Sequence, residues 1–87
     1  MANTKSAEKR IRQAEKRRTR NRYHRSRMRT AVKQLRALVD EGNGDGARAV
    51  LSSTLGLIDA TAQKGVIHRN AASRTKSRLT LAVNQLA

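Results

Sequence analysis

The 87-residue chain has no cysteine, no proline, no tryptophan and no phenylalanine, and a single tyrosine. The missing cysteines exclude disulfides and thiolate metal sites, a composition that fits a reducing cytosol. The missing prolines leave nothing to break a helix from within. The residues that dominate instead, Ala, Arg, Lys, Leu and Gln, are those that lose least on entering one. No aliphatic run exceeds three residues, and the opening Met1-Ala2-Asn3-Thr4-Lys5 leads into charge. Neither a secretory signal nor a transmembrane span is therefore expected. The length permits one small domain, a size that buries too little of its surface to be robust unaided.

Acids are also scarce, six against 20 Lys and Arg, for a net charge of +14. Fourteen of the 20 cations fall in the first 36 residues, where Glu8 and Glu15 are the only acids, giving that segment +12. Residues 37–60 carry −3, and residues 61–87, with no acid, carry +5. Two basic ends flanking an acidic middle point to a polyanionic partner, either nucleic acid or an anionic membrane surface.

Turn signals divide the chain into three. Gly42-Asn43-Gly44-Asp45-Gly46 is a dense breaker cluster, and Gly65 stands where apolar periodicity restarts. The pattern predicts helices over about 4–41, 46–64 and 68–86. Asp45 is the expected N-cap of the second, and Gly65 the left-handed residue that closes it, with Lys64 in its last turn. Gly56, inside that helix, is expected to permit close helix packing.

Apolar stripes then tell which segments pack. Met28, Ala31, Val32, Leu35, Leu38 and Val39 form one on the first helix. Ala47, Val50, Leu51, Leu57 and Ile58 form the second. Ala71, Leu79, Ala82, Val83 and Leu86 form the third. These predict an all-α three-helix bundle with a long, basic N-terminal helix projecting beyond the core. As a single domain it would comprise a basic helical arm over 1–27 and a bundle core over 28–87. Residues 1–27 offer only Met1, Ile11 and Tyr23 as large apolar groups, while their cations point in nearly all directions. Ordering a residue costs about 1–2 kcal/mol, so this arm is expected to fray when free and to order on a polyanion.

A membrane-surface helix requires an apolar face opposite the basic one, and Ile11 and Tyr23 cannot supply it. His24 and His68 have no acid or cysteine at ligand spacing, so no metal is expected, and His68 suits packing or capping. The central acids lack a companion base or nucleophile, so neither catalytic residues nor cofactors are expected. Ser26, Ser73 and Ser77 are either ordinary polar helix residues or phosphate donors, each being flanked by Arg or Lys. On the third helix Arg69, Ser73, Lys76, Ser77 and Thr80 fall within roughly 100°, on the side expected to face away from Leu79 and Leu86, with Arg74 and Arg78 at the border. Two basic surfaces can hold two nucleic-acid elements. No RNP motif or aromatic stacking platform is present to favour RNA. The competing reading is a nucleoid-type architectural DNA-binding protein, although the wedge residues of that class are missing.

The residues also resemble a known family. Met1-Ala2-Asn3, Lys5-Ser6-Ala7 and Lys9-Arg10 are similar to the start of the bacterial small-subunit ribosomal protein S20 family. Arg25-Ser26 with Met28-Arg29-Thr30 and Lys33 resembles its mid-helix block. Lys64-Gly65-Val66-Ile67-His68-Arg69-Asn70, then Ala72, Arg74, Lys76-Ser77 and Leu79, resembles its third-helix signature, and Asn84-Gln85-Leu86-Ala87 its ending. The resemblance implies a cytoplasmic, ribosome-bound protein, neither an enzyme nor a membrane protein. It would bind 16S rRNA in the small subunit early in assembly and tie the 5′ domain to the 3′ minor domain. The RNA contacts it implies are Lys5, Ser6, Lys9, Arg10, Ser26, Arg29, Lys33, Lys64, His68, Arg69, Asn70, Lys76 and Ser77. The charge pattern adds Arg12, Lys16, Arg17, Arg22, Arg25 and Arg74. The chain departs from the family pattern at Glu8 and in the Gly-rich turn.

Overall fold

The computed structural model describes residues 4–86; the Met1-Ala2-Asn3 start and the final Ala87 lie outside the described residues. Three helices follow in order, α1 Lys5–Asp40, α2 Gly44–Gln63 and α3 Arg69–Asn84. The molecule measures 62 × 20 × 16 Å. Its long axis is set by α1, whose 36 residues at about 1.5 Å each make a rod near 54 Å. Helix α2 folds back along the C-terminal half of α1 and α3 returns beside α2, so α2 packs extensively on both neighbours while α1 and α3 meet over a short stretch.

Two Schellman motifs make the turns. At the end of α1 the Gly42 amide donates to Val39 O and the Asn43 amide to Leu38 O, each at 3.0 Å. At the end of α2 the Gly65 amide donates to Ala62 O at 3.0 Å and the Val66 amide to Thr61 O at 3.2 Å. Gly42 and Gly65 take φ of 74° and 76°, the left-handed conformation that glycine adopts without a Cβ penalty. Val66, next after Gly65, is buried, which seats the α2–α3 loop on the core.

Helix starts are capped by side chains. Thr4 Oγ1 accepts from the Ala7 amide at 3.2 Å. Asn43, rather than Asp45, caps α2: its Oδ1 accepts from the Gly46 amide at 2.9 Å, and the helix begins two residues earlier than its spacing predicts. Asp45 sits inside the first turn and holds Arg48 at 2.7 Å. A Cβ at Gly46 would lie 2.6 Å from Asn43 Nδ2, so this cap requires glycine there. Gly56 has a different role from the one expected. It is exposed, and nothing lies within 4 Å of where its Cβ would be, so no helix approaches it closely.

The core consists of Leu35, Ala47, Ile58, Ala72, Leu79 and Val83, flanked by half-buried residues that include Met28, Val32, Leu38, Val39, Val50, Leu51 and Leu86. On α3 the deep alanine is Ala72, with Ala71 beside it only partly covered. Thr54 and Thr61 are also buried on α2, and their hydroxyls donate to Val50 O and Leu57 O at 2.9 and 2.7 Å. Bonding back one turn satisfies a polar group that would otherwise be costly to bury. Small side chains at Ala47, Thr54, Thr61 and Ala72 let three helices close on a core without aromatic residues.

Candidate nucleic-acid interface

The cations of α1 are ordered where the sequence reading found them pointing everywhere. At about 100° per residue, Arg18, Arg22, Arg25, Arg29, Lys33 and Arg36 recur every three or four positions and form one stripe. Lys5, Lys9, Arg12, Lys16 and Arg20 form another, on a flank roughly 150° away. All eleven are exposed. Arg17, Arg18, Arg22, Arg25, Ser26 and Arg29 border one shallow depression, and Arg12, Lys16 and Arg20 border a second with Glu15 and Thr19. Arg10 and Arg17 lie between the stripes, on the line that Met28 and Leu35 occupy further along. No partner helix runs beside that upstream line, so exposed cations can stand where apolar residues stand downstream. Ser6 is exposed on the same projecting segment.

The apolar stripe of α1 begins at Met28, yet polar contacts between α1 and the rest of the fold reach back to Arg20. Its Nη2 donates to Lys64 O at 3.4 Å, and Arg25 Nη2 donates to Val66 O at 3.5 Å. Carbonyls at a helix C-terminus lack intrahelical partners and carry partial negative charge. Arg20 therefore docks α1 onto the C-cap of α2, and Arg25 onto the α2–α3 loop that follows it. The half-buried His24 lies among them. Partial desolvation, then the positive charges of Lys64, Arg20 and Arg27, hold its pKa below the ordinary histidine value of 6.5.

The same end of the bundle holds the start of α3. His68 is its N-cap: Nδ1 accepts from the Asn70 amide at 3.0 Å. Accepting at Nδ1 places the imidazole proton on Nε2, so the exposed ring presents one donor to solvent. Lys64, Arg69, Asn70, Ser73, Arg74 and Ser77 are all exposed around or beyond it. Arg69 stands in a first turn that has no acid to balance it, at the positive end of the helix dipole. That arrangement is unfavourable alone and is relieved by an anion.

On α3 the expected face needs correction. Ala72, Leu79 and Val83 define the packed side, and Lys76 falls beside them rather than away from them. Lys76 is half-buried and its Nζ meets Asp59 Oδ1 of α2 at 2.7 Å. Thr80, also half-buried, donates to Lys76 O at 2.8 Å. The open side of α3 is the one carrying Asn70, Arg74, Ser77 and Arg78. Thr75 shares a depression with Arg29, Lys33 and Arg36 of α1, which makes the downstream stripe continuous with α3. Arg18, Arg20, Arg27, Arg36 and Thr75 were absent from the residues singled out by sequence. The recurrence of cations at i, i+4 and i+7 is the signal that could have found the four arginines.

Three of the six acids lie at the far end of the bundle. Asp40, Glu41 and Asp45 cluster at the turn from α1 to α2, at the opposite end from the α2–α3 loop. Charge is thus segregated along the molecule's length, with the projecting part of α1 at the positive extreme. Among the described residues no group of three or more His, Asp or Glu could hold a metal ion, and no helix is long and apolar enough to cross a membrane.

Comparison with known proteins accounts for nearly the whole chain. The family described as Ribosomal protein S20 matches residues 2–84. A small ribosomal subunit protein bS20 of Thiobacillus denitrificans is 46% identical over 87 residues, covering all of both chains. The bS20 protein of a Mycobacterium species is 49% identical over 86 residues, covering 99% of this chain and 100% of its own. That of Aquifex aeolicus is 46% identical over 85 residues, covering 98% of this chain and 90% of its own. With matches of this identity over almost its full length, the chain belongs to the ribosomal protein S20 family.

Proposed function

We propose that this protein is a structural constituent of the small ribosomal subunit that binds 16S rRNA directly and joins two of its segments during assembly. The observation that carries this reading is the pair of cationic stripes on different flanks of α1. The upstream stripe, from Lys5 to Arg20, runs along the part of the helix that extends past the bundle. The downstream stripe, from Arg18 to Arg36, lies beside α3 and adds Thr75 and the start of that helix. One continuous helix carrying two separated phosphate-binding tracks can, once ordered on RNA, hold two RNA elements at a fixed spacing. Its role is structural rather than catalytic.

Phosphate contacts give affinity and register without reading sequence. The track on the bundle is the better fixed of the two, since Arg25 is tied to Val66 O and the flanking α3 is anchored by its core. It is the one expected to set register. Lys5, Ser6, Lys9, Arg10, Arg12, Lys16 and Arg17 supply the arm contacts. Arg22, Arg25, Ser26, Arg29, Lys33, Lys64, His68, Arg69, Asn70, Arg74 and Ser77 supply the second surface, with Lys76 at its edge. The two RNA segments are the 5′ domain and the 3′ minor domain, as the family resemblance implies, and the protein's place is the cytoplasmic ribosome.

The test is footprinting of the full protein on 16S rRNA with duplex DNA as competitor. Protection of two separate rRNA segments that survives excess DNA is the expected result. Protection that duplex DNA abolishes would favour the architectural DNA-binding reading instead.

A further inference from the structure

Tyr23 is the chain's sole aromatic residue apart from its two histidines, and it is not used by the core. The residue is 57% exposed, so the apolar face of its ring is open to a partner. The ring is nonetheless held. The Arg27 guanidinium carbon stands over it at 5.7 Å from the centroid, and the His24 ring meets it edge-on at 5.2 Å with an interplanar angle of 69°. Beside it runs a groove between α1 and α2, floored by Ala31 and Leu57 and edged by Ser26, Thr30 and Gln34. Arg22 and Arg27 also line this groove, and Arg20 stands on the neighbouring turn of the same helix.

We propose that Tyr23, with Arg27 and the groove beside it, is a stacking site for an unpaired nucleobase of the bound RNA. The inference rests on the RNA-binding reading above and adds to it a contact of a different kind. Every base has a π-face that stacks on an aromatic ring, and arginine adds a cation–π partner. A ring already fixed by two neighbours loses little freedom when a base joins it. The groove has the mixed lining that a base edge needs: an apolar floor, and hydroxyl and amide groups that both donate and accept. Arg22, Arg27 and Arg20 surround it with positive charge, so a sugar-phosphate backbone is held at the groove's rim while a base turns inward. A protein side chain would gain nothing from that ring of cations unless it were acidic, and an acidic side chain would not need the tyrosine. Unstacked bases occur in RNA loops and bulges, so the site favours irregular RNA over a continuous duplex.

Because Tyr23 is the only tyrosine and there is no tryptophan, the intrinsic fluorescence of the protein reports on this ring alone. The experiment titrates the full chain with a single-stranded oligouridylate and, separately, with a fully paired RNA duplex of equal length, then measures affinity for labelled 16S rRNA. The variants are Tyr23→Ala and Tyr23→Phe, each checked for helicity by circular dichroism. The expected result is quenching of tyrosine emission by the single strand and little by the duplex. Tyr23→Ala should lose roughly 5- to 150-fold in single-strand affinity, the range typical of removing one stacked base contact. Tyr23→Phe should restore the affinity, and duplex affinity should be unmoved by either change. Salt-dependent binding with unquenched tyrosine and no loss in Tyr23→Ala would overturn the stacking site while leaving the RNA-binding reading intact. Absence of binding to either RNA and to 16S rRNA would overturn both.

Discussion

Lys76 Nζ lies 2.7 Å from Asp59 Oδ1, and the pair ties α3 to α2 at the boundary between the core and the basic surface. The side chains are 33% and 56% exposed, so the attraction is screened by water and is worth about 1 kcal/mol or less. Its larger effect is electrostatic. Asp59 holds the charge of Lys76 close to the core and sets a negative group beside a surface that otherwise presents cations.

Asp59→Asn should therefore cost about 1 kcal/mol or less of stability, while raising affinity for RNA at low salt by freeing Lys76 and removing one negative charge. Thermal melting and filter binding with 16S rRNA check the two halves separately. A fall in Tm well beyond the roughly 4–8 °C that 1 kcal/mol gives in a domain of this size would mean that the pair is a structural bond. Unchanged or weaker RNA binding would mean that Lys76 does not reach the RNA even when free.

Two glycines should respond to alanine in opposite directions. Gly65 sits at φ 76° with open space around it, so Gly65→Ala meets no clash and loses only the backbone preference, roughly 1–2 kcal/mol. Gly56 is an exposed mid-helix residue with nothing within 4 Å of its would-be Cβ, so Gly56→Ala should gain about 1 kcal/mol. Melting curves for the two variants should therefore move apart around the parent. A drop in Tm for Gly56→Ala would show a contact at that position that the fold does not account for.

These glycines also mark how far the sequence could be read. The three helices, the break over residues 42–46 and the left-handed turn at Gly65 were legible, because breakers and apolar periodicity agree there; that Gly42 is itself left-handed was not. Nor was the start of α2. Asn43 and Asp45 are comparable caps, and the choice falls to Asn43 because the Schellman turn at Gly42 leaves it at φ −83°, ψ 80°, outside the helix, with its side chain in reach of the Gly46 amide. Thr54 and Thr61 were missed as core because a hydropathy pattern counts threonine as polar, while a helix lets its hydroxyl bond back one turn. Lys76 was assigned to the open face for a related reason: the centre of α3's packed side was taken from Ala71, where the fold uses Ala72. On α1 the dense cations hid their own order, since the eye sees charge everywhere before it sees two spacings.

His24 provides a pH signature of the docked helix. Partial burial and then Lys64, Arg20 and Arg27 lower its pKa in the folded protein, so between that value and about 6.5 the unfolded chain binds more protons. Stability linked to this group is full above about pH 6.5 and falls as the pH drops through the folded value. An NMR titration of the free protein should place the His24 midpoint below about 6.5. Lys64→Gln should move it part of the way back, since desolvation is the larger cause. A midpoint at or above the ordinary value would mean that α1 does not stay docked on the end of α2 in solution.

The last expectation separates the two stripes. Lys9, Arg12 and Lys16 lie on the segment that projects past the bundle, where each contact is one of many and little fixes the direction of approach. Arg22, Arg29 and Lys33 lie on the downstream stripe that meets α3 at Thr75, where Leu35 and the packed core hold the helix. The parent protein, if it neutralises about 6 to 10 phosphates, should lose roughly 10³- to 10⁵-fold in affinity between about 50 and 200 mM salt, by analogy with duplex DNA. Replacing either trio by alanine should flatten that dependence by a similar amount, because each removes three cations. Their footprints should differ. The Lys9, Arg12 and Lys16 variant should lose protection of one rRNA segment and weaken specific and nonspecific RNA alike. The Arg22, Arg29 and Lys33 variant should lose protection of the other segment and give up more of its preference for 16S rRNA over unrelated RNA. If both variants erase the same footprint and change specific and nonspecific affinity by the same factor, the stripes form one diffuse surface, and a protein with one surface cannot join two RNA segments in the way proposed.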